Sequence, residues 1–142
     1  MNERPTFKSL GKQTAHVYSG ADATLLERAP NPMRAAQEQG CTTRVVIAGD
    51  EFTSQCPATG GPDFGTITVE YEPREWIVES KSFKLYTGSF RAEPIFHEAV
   101  VTKICLDLRE LLNPKWIEVR GDFKARGGWA ICPRAMWSDR DA

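Results

Sequence analysis

The chain has 142 residues, of which 41% are hydrophobic and 26% charged, values typical of one globular domain with its own core. The formal net charge of −1 gives no overall attraction to nucleic acid or to an anionic membrane. No apolar run is long enough for a transmembrane helix, and residues 1–5 lack the apolar stretch of a signal peptide. We therefore expect a cytoplasmic protein that binds neither membranes nor nucleic acid directly.

The N-terminal third is predicted to be an arm over 1–43 that is largely irregular, because it is polar and interrupted by glycine and proline. Residues 44–142 are predicted to form a single domain. Its first strand is expected over 44–48, a β-branched run, and its second over 66–71, where apolar and polar residues alternate. The segment 49–65 is predicted to be a loop, since prolines and glycines recur in it.

Two helices are predicted next, the first from an N-cap at Ser80 to about residue 91 and the second over about 95–112. Apolar residues at three-four spacing mark the second helix, and Asn113-Pro114 ends it. Strands are then expected over 116–123 and 129–132. The order strand-strand-helix-helix-strand-strand indicates an α+β fold in which an antiparallel sheet carries two helices on one face.

The four cysteines give no indication of a metal site, because none forms a C-x-x-C pair and the chain has only two histidines. We expect free thiols in a reducing compartment. Cys105 and, less clearly, Cys132 fit the pattern of small buried residues. Cys56 differs from them because it lies beside Pro57 in the predicted loop, where a thiol can be accessible.

Asp63 follows Cys56 after a stretch of prolines and glycines that can fold back, so the pair could act as nucleophile and proton donor. Taken locally, an unremarkable loop cysteine and a turn aspartate explain the same residues and are the favoured interpretation. The segment 52–57 also looks like the Thr-x-x-Cys loop of thiol peroxidases. Those enzymes need a thioredoxin-like core, which the predicted element order does not supply.

Three further groups could bind or transform a ligand. Lys81 and Lys84 share a basic stripe near a helix N-terminus, which suits a phosphate, although a solvated basic face is the commoner meaning. His97 could relay a proton and Glu98 could accept hydrogen bonds from a guanine-like edge, or both could be ordinary first-turn residues. Arg126 precedes two glycines, a pattern typical of a hairpin turn that can also admit a phosphate.

Together these segments resemble the QueF family, NADPH-dependent nitrile reductases that act on 7-cyano-7-deazaguanine in queuosine biosynthesis, a tRNA-modification pathway. The likeness spans about residues 40–135, with a weaker match at Ser9-Leu10-Gly11. The length of the chain resembles the short, single-module form of the family. The motifs that carry it are F-T-S-x-C-P-x-T-G from Phe52, P-D-F from Pro62, V-E-S-K-S from Val78, K-L-Y from Lys84, S-F-R from Ser89, F-H-E from Phe96 and R-G-G from Arg126.

The resemblance implies a tunnelling fold (T-fold), in which small antiparallel subunits assemble into a pentameric barrel and two barrels stack into a homodecamer. It places the active sites between subunits. The edges and exposed faces of so small a sheet are compatible with obligate assembly.

The resemblance also implies a chemistry. Cys56 would attack the nitrile carbon to give a covalent thioimidate, Asp63 would donate a proton to nitrogen, and two NADPH per turnover would complete the four-electron reduction to the amine. His97 would assist proton transfer and orient the substrate. The residues implied to bind the deazaguanine are Val78, Glu79, Ser80, His97 and Glu98. The residues expected at the NADPH phosphates are Lys81, Lys84 and Arg126.

The chain departs from the family pattern after His97, where Ala99 and Val100 occupy the region in which some members carry a cysteine that can pair with the catalytic one. Gly88 also stands where a larger residue is usual. The alternatives are a non-catalytic purine-binding module of the same fold, a thiol peroxidase, and a zinc-dependent enzyme like GTP cyclohydrolase. The absence of Cys/His pairs argues against the zinc enzyme.

Overall fold

The computed structural model describes residues 6–8 and 19–140, so the Ser9-Leu10-Gly11 motif lies outside the described residues. Strands and helices are numbered in chain order. They are β1 (Arg28–Pro30), α1 (Arg34–Glu38), β2 (Val45–Gln55), β3 (Pro62–Glu72), β4 (Trp76–Val78), α2 (Ser80–Ser89), α3 (His97–Leu112), β5 (Trp116–Phe123) and β6 (Arg134–Ser138). Short 3-10 turns occupy Ala23–Leu25 and Phe90–Ala92.

The main sheet is antiparallel, with strand order β2-β3-β5-β6, and a two-stranded ribbon pairs β1 with β4. In the centre of the sheet Val69 of β3 lies between Ile47 of β2 and Val119 of β5. Inward-facing side chains of the sheet join those of α2 and α3 in one hydrophobic cluster, so both helices cover the same face. The prediction of an α+β fold with an antiparallel sheet and two helices is confirmed.

Alternation along β3 explains how the core forms, because Ile67, Val69 and Tyr71 are buried while the residues between them are partly exposed. Helix α3 buries its own stripe, including Ile104 and Leu108, against this face. Asn113 ends α3 in the left-handed conformation (φ 44°), which agrees with the predicted end of this helix.

The N-cap of helix α2 lies one residue earlier than predicted. Glu79, rather than Ser80, is the N-cap, and its carboxylate accepts hydrogen bonds from the backbone N–H groups of Lys81 and Ser82. A carboxylate satisfies two of the unpaired N–H groups and complements the positive end of the helix. Along α2, Phe83 and Tyr86 are buried and Lys84 is exposed, so the predicted aromatic and basic faces are confirmed.

The predicted loop 49–65 is mostly wrong, because β2 continues to Gln55 and β3 begins at Pro62. Phe52 and Gln55 are paired with Gly65 and Pro62 across the two strands, and a bulge between Gly49 and Phe52 absorbs the irregular sequence. Only residues 56–61 remain as the connecting loop. The pattern missed this because the bulge interrupts the alternation on which a strand prediction depends.

The last predicted strand, 129–132, is also wrong. Residues 129–132 are exposed, and β6 instead forms over Arg134–Ser138, where Ala135 and Trp137 face inward. Cys132 is accordingly exposed rather than buried, whereas Cys105 is buried on α3 as predicted. The described part of the predicted arm contains β1, α1 and a 3-10 turn, because β1 finds a partner in β4. The domain boundary at residue 43 stays a prediction.

Phe123, at the end of β5, packs into a space that two glycines leave open. A Cβ atom added to Gly121 would lie 2.6 Å from Cε2 of Phe123 and 3.1 Å from Cγ1 of Val101. A Cβ atom on Gly65 would lie 2.9 Å from the Asp122 carbonyl oxygen. These glycines are therefore needed for close packing rather than for an unusual backbone angle.

We expect Gly121→Ala to lower the free energy of unfolding by about 1–3 kcal/mol, because the Phe123 ring must move out of a well-packed position. Urea unfolding at a fixed protein concentration measures this change. Gly49→Ala is the matched control, since nothing lies within 4 Å of a Cβ atom there. Equal midpoints for both variants would show that the Phe123 ring can shift without cost.

Candidate active site

Cys56 lies at the first position of the loop 56–61, directly after β2. The loop closes on itself, because the Cys56 N–H donates to the Gly61 carbonyl at 2.8 Å and the Gly60 N–H donates to the Cys56 carbonyl at 2.8 Å. Gly60 adopts a φ of 71°, which only glycine takes readily. The side chain of Cys56 is 8% exposed, so its sulfur is nearly enclosed but still reachable.

The loop stabilises the thiolate of Cys56 and lowers the pKa of its thiol to about 7. The main cause is a hydrogen bond from the Thr59 hydroxyl, followed by the backbone N–H groups of Thr59 and Ala58 and by Arg126. The Thr59 oxygen in turn accepts the Gly61 N–H at 3.2 Å, which holds the hydroxyl in place. A thiol with this pKa is about half ionised near neutral pH, as a cysteine nucleophile requires.

Asp63 is the second residue of β3 and is 3% exposed. Its Oδ2 lies 3.1 Å from Nε2 of His97, and its Oδ1 lies 2.8 Å from a guanidinium nitrogen of Arg126. Neither contact has the alignment of a hydrogen bond, because Asp63 Oδ1 and His97 Nε2 both remain without a hydrogen-bond partner. The carboxyl is thus held by proximity to two basic groups while its hydrogen-bonding capacity stays open.

His97 opens α3 and reaches this point because the preceding segment pairs with the end of β2. The Gln55 N–H donates to the Glu93 carbonyl at 3.0 Å, and the Ile95 N–H donates to the Gln55 carbonyl at 3.1 Å. The imidazole is 4% exposed and stacks face to face on Phe123, with ring centroids 3.8 Å apart. Phe123 therefore connects the packing at Gly121 to the orientation of a candidate proton-transfer group.

Arg126 comes from a two-residue hairpin turn in which Gly127 and Gly128 have φ values of 58° and 85°. The N–H groups of Arg126 and Trp129 each donate to the other residue's carbonyl, which closes the turn. The predicted hairpin is confirmed. The Arg126 side chain is half exposed, so its guanidinium can contact Asp63 and still reach solvent.

The structure brings together the three residues predicted to be catalytic, Cys56, Asp63 and His97, at one end of the sheet. Glu98 follows His97 and is exposed beside them. This group does not include Val78, Glu79 and Ser80, which lie at the N-terminal end of α2. The opposite end of the helix is the one followed by the turn that packs against β2. Helix α2 has 10 residues and is therefore about 15 Å long.

A groove of about 330 Å³ runs between β2 and α2. Lys84 and Arg91 line its helix side together with Ser80, and Asp50 and Glu51 of the strand bulge line the other wall. Lys81 belongs to the same helix. The groove is therefore cationic on one wall only, which suits an anionic group lying against α2.

Sequence reasoning missed three residues that shape the site: Ser54, Thr59 and Phe123. Thr59 and Ser54 both lie within the F-T-S-x-C-P-x-T-G motif, and that membership was the signal that could have singled them out. Phe123 carried no such signal, because its contact with His97 joins distant parts of the chain. Within 6–8 and 19–140, no group of three or more potential metal ligands is found. None of the helices described is long and apolar enough to span a membrane.

The fold and this group of side chains define a small α+β enzyme in which a buried, readily ionised cysteine faces an acid–histidine pair. Comparison with known proteins supports this fold and this class of enzyme. A family model described as "QueF-like protein" matches residues 62–142. The crystal structure of the archaeosine synthase QueF-Like in the apo form is similar in fold, with a TM-score of 0.63 at 23% identity over 68% of this chain and 94% of that chain.

Closer relatives carry one name. The NADPH-dependent 7-cyano-7-deazaguanine reductase of Helicobacter pylori (strain Shi470) is 45% identical over 129 residues, which cover 91% of this chain and 84% of the relative. The enzyme of the same name from Anaeromyxobacter sp. (strain K) is 47% identical over 117 residues, covering 82% and 92% of the two chains. The chain belongs to the family of NADPH-dependent 7-cyano-7-deazaguanine reductases.

We expect Thr59→Val to raise the pKa of the Cys56 thiol by about one unit, because the largest contribution to thiolate stability is removed. The thiolate fraction at neutral pH falls accordingly. Alkylation by iodoacetamide at a series of pH values, followed by peptide mass spectrometry, gives the midpoint for Cys56 alone. The exposed thiols of Cys41 and Cys132 are internal controls whose profiles should not move. An unchanged Cys56 midpoint would contradict the role given to Thr59.

Proposed function

We propose that the chain reduces the nitrile of 7-cyano-7-deazaguanine to the primary amine of 7-aminomethyl-7-deazaguanine, with NADPH as reductant, in queuosine biosynthesis. Its relatives bear this activity in their names. The observation that carries the proposal is the buried Cys56, with a thiol pKa of about 7, on the same sheet end as Asp63 and His97. A domain that only bound a purine would have no need of a stabilised thiolate.

In the first step the Cys56 sulfur bonds to the nitrile carbon and one carbon–nitrogen π bond breaks. The nitrile nitrogen takes up a proton, and Asp63, buried beside His97, is the proposed donor. The product is a thioimidate covalently attached to Cys56. In net terms the thiol proton has moved to nitrogen, so no other reactant is needed for this step.

NADPH supplies a hydride at each of two later steps. Each reduction also takes up one proton, delivered through Asp63 and His97. Between the two reductions the carbon–sulfur bond breaks, one proton passes from nitrogen to the Cys56 sulfur, and an imine stays in the site. One nitrile, two hydrides and two protons thus give one amine. The His97 imidazole stacks on Phe123, and this contact fixes the plane of the ring. Proton transfer through His97 therefore takes place in one orientation.

Lys81 and Lys84 are the residues proposed to hold the NADPH phosphates, since Lys84 lines the cationic wall of the groove between β2 and α2. Arg126 is proposed to join them. Its half-exposed side chain can turn from Asp63 to a phosphate. The groove in one chain is small for a dinucleotide, so part of the binding surface must come from elsewhere.

The substrate ring is proposed to be held by two sets of residues that one chain does not bring together. Glu98, beside His97, can accept two hydrogen bonds from the guanine-like edge. Val78, Glu79 and Ser80 lie about one helix length away, at the far end of α2. We infer that a second subunit supplies these three residues, so that each active site lies between subunits.

The assembly proposed is the T-fold homodecamer of two stacked pentamers. Among the described residues, β2 and β6 are the two edges of the main sheet. Apart from Gln55, which pairs with the segment before α3, their outer backbone groups can pair with a neighbouring copy. Val46 on β2 and Met136 on β6 are 57% and 71% exposed, as expected if neighbouring chains cover them. Edge-to-edge pairing of identical subunits closes into a ring and removes both edges.

Mass spectrometry of the protein mixed with 7-cyano-7-deazaguanine, without NADPH, tests the proposed function. We expect a mass gain of one ligand on the peptide that contains Cys56, released as the amine when NADPH is added. Cys56→Ala should bind the ligand but show no gain. Cys105→Ala is the matched control, because it removes a buried thiol outside the site. Tight binding with no adduct in the unmodified protein would favour the binding-module alternative.

Mixed assemblies test whether active sites are shared between subunits. Cys56→Ala and Glu79→Gln chains are co-expressed with different tags and purified through both. Each variant alone should be nearly inactive, but random mixing should restore about a quarter of the sites. The control pairs Cys56→Ala with Glu98→Gln, which lie on the same side of the shared site and should restore nothing. Recovery in neither mixture would contradict the proposed division, as would full activity of Glu79→Gln alone.

A further inference from the structure

Ser54 is a buried polar residue next to the candidate active site. It has no role in the reaction proposed above. It lies on β2 two residues before Cys56, and its side chain is fully buried. Four buried side-chain atoms in the described part of the chain lack a hydrogen-bond partner: Ser54 Oγ, Asp63 Oδ1 and both ring nitrogens of His97. Three of the four belong to Asp63 and His97, and the fourth is the Ser54 hydroxyl.

The strand register places Ser54 directly opposite Asp63. Residues paired in this way in antiparallel strands point to the same face, with Cβ atoms about 4.5–5.5 Å apart. Both side chains face the core. A rotation about the Ser54 side chain can therefore bring its hydroxyl to the Asp63 carboxyl without any movement of the backbone.

The three neighbours of the Asp63 carboxyl differ in which protonation state they can support. A guanidinium only donates hydrogen bonds, so Arg126 supports the carboxylate alone, and an imidazolium at His97 does the same. A serine hydroxyl both donates and accepts. Ser54 can accept from Asp63 while the carboxyl carries a proton and can donate to it after that proton has left.

We propose that Ser54 is a positioning residue that supports Asp63 in both protonation states during proton transfer to the substrate nitrogen. In the substrate complex its hydroxyl donates to the carboxylate as the Asp63 proton leaves for nitrogen, and it accepts from Asp63 when the carboxyl is reprotonated between the steps. The hydroxyl exchanges only hydrogen bonds, so it ends each cycle unchanged. A buried hydroxyl without a partner is unfavourable for folding, and its presence beside a proton donor fits a residue kept for function. The proposal rests on the proposed function.

The test combines stability, binding and the rate of adduct formation. Since the Ser54 hydroxyl bonds to nothing in the resting chain, Ser54→Ala should melt no lower than the unmodified protein. Its rate of adduct formation at Cys56 should fall at least about tenfold, as expected when a proton donor loses its support. Affinity for 7-cyano-7-deazaguanine, measured by calorimetry in a Cys56→Ala background, should change by less than about twofold.

Two further variants complete the comparison. Ser54→Thr keeps the hydroxyl and should recover most of the rate. Thr68→Ala removes a hydroxyl from the other face of the same sheet and should leave rate, affinity and melting temperature unchanged.

An unchanged rate of adduct formation in Ser54→Ala would overturn the proposal, because the hydroxyl would then have no role in proton transfer. A marked fall in the melting temperature of Ser54→Ala would also overturn it, because the hydroxyl would then have a structural role. Ser54→Thr folded but as slow as Ser54→Ala would also overturn it. Failure of the proposed function is distinguishable, since then the unmodified protein itself would form no adduct.

Discussion

The burial of one carboxyl group, that of Asp63, constrains much of the rest of this molecule. An isolated carboxylate removed from water costs several kcal/mol, so it must meet basic or hydrogen-bonding groups or hold a proton. The chain supplies two basic groups from separate places, His97 from the start of α3 and Arg126 from the hairpin after β5, and the strand register places Ser54 of β2 opposite the carboxyl. These elements meet at one end of the sheet, where the loop 56–61 that carries Cys56 begins.

Packing and chemistry are linked through Phe123. Its ring is accommodated by the missing side chains of Gly65 and Gly121, and the His97 imidazole stacks on its face. The orientation of the imidazole therefore depends on backbone positions in β3 and β5, and not only on the residues around Cys56. Hydrophobic contact fixes the ring plane while both ring nitrogens stay without hydrogen bonds, which leaves them available to a ligand or a proton.

Much of the fold could be predicted from local sequence, and the reasons differ between elements. Regular alternation identified β3 and β5, and three-four spacing identified α3, because those elements bury one continuous face. The extension of β2 was missed because a bulge breaks its alternation, and β6 because an exposed Met136 and a small Ala135 disguise its inward face. Short-range pattern cannot reveal a strand whose identity depends on its neighbour.

The candidate site was predictable in part. Cys56, Asp63 and His97 were singled out through the family resemblance, and the structure places them together. Their neighbours could not be predicted in the same way, since the pairing of Ser54 with Asp63 and the stack of His97 on Phe123 exist only in the folded chain. The capping role of Glu79 was missed, because the sequence pattern indicated Ser80 as the N-cap, although an acidic residue before a helix complements its dipole.

The two open edges of the sheet have a consequence for how the protein must be handled. Outside the proposed assembly, a single chain presents the backbone of β2 and β6, with Val46 and Met136 beside them, to any other chain in solution. Exposed edges of this kind can pair with strands of other chains without specificity, which leads to aggregation. Substitutions that weaken the proposed subunit contacts should therefore cause precipitation rather than yield soluble monomers, so a loss of solubility is the first sign expected of a damaged interface.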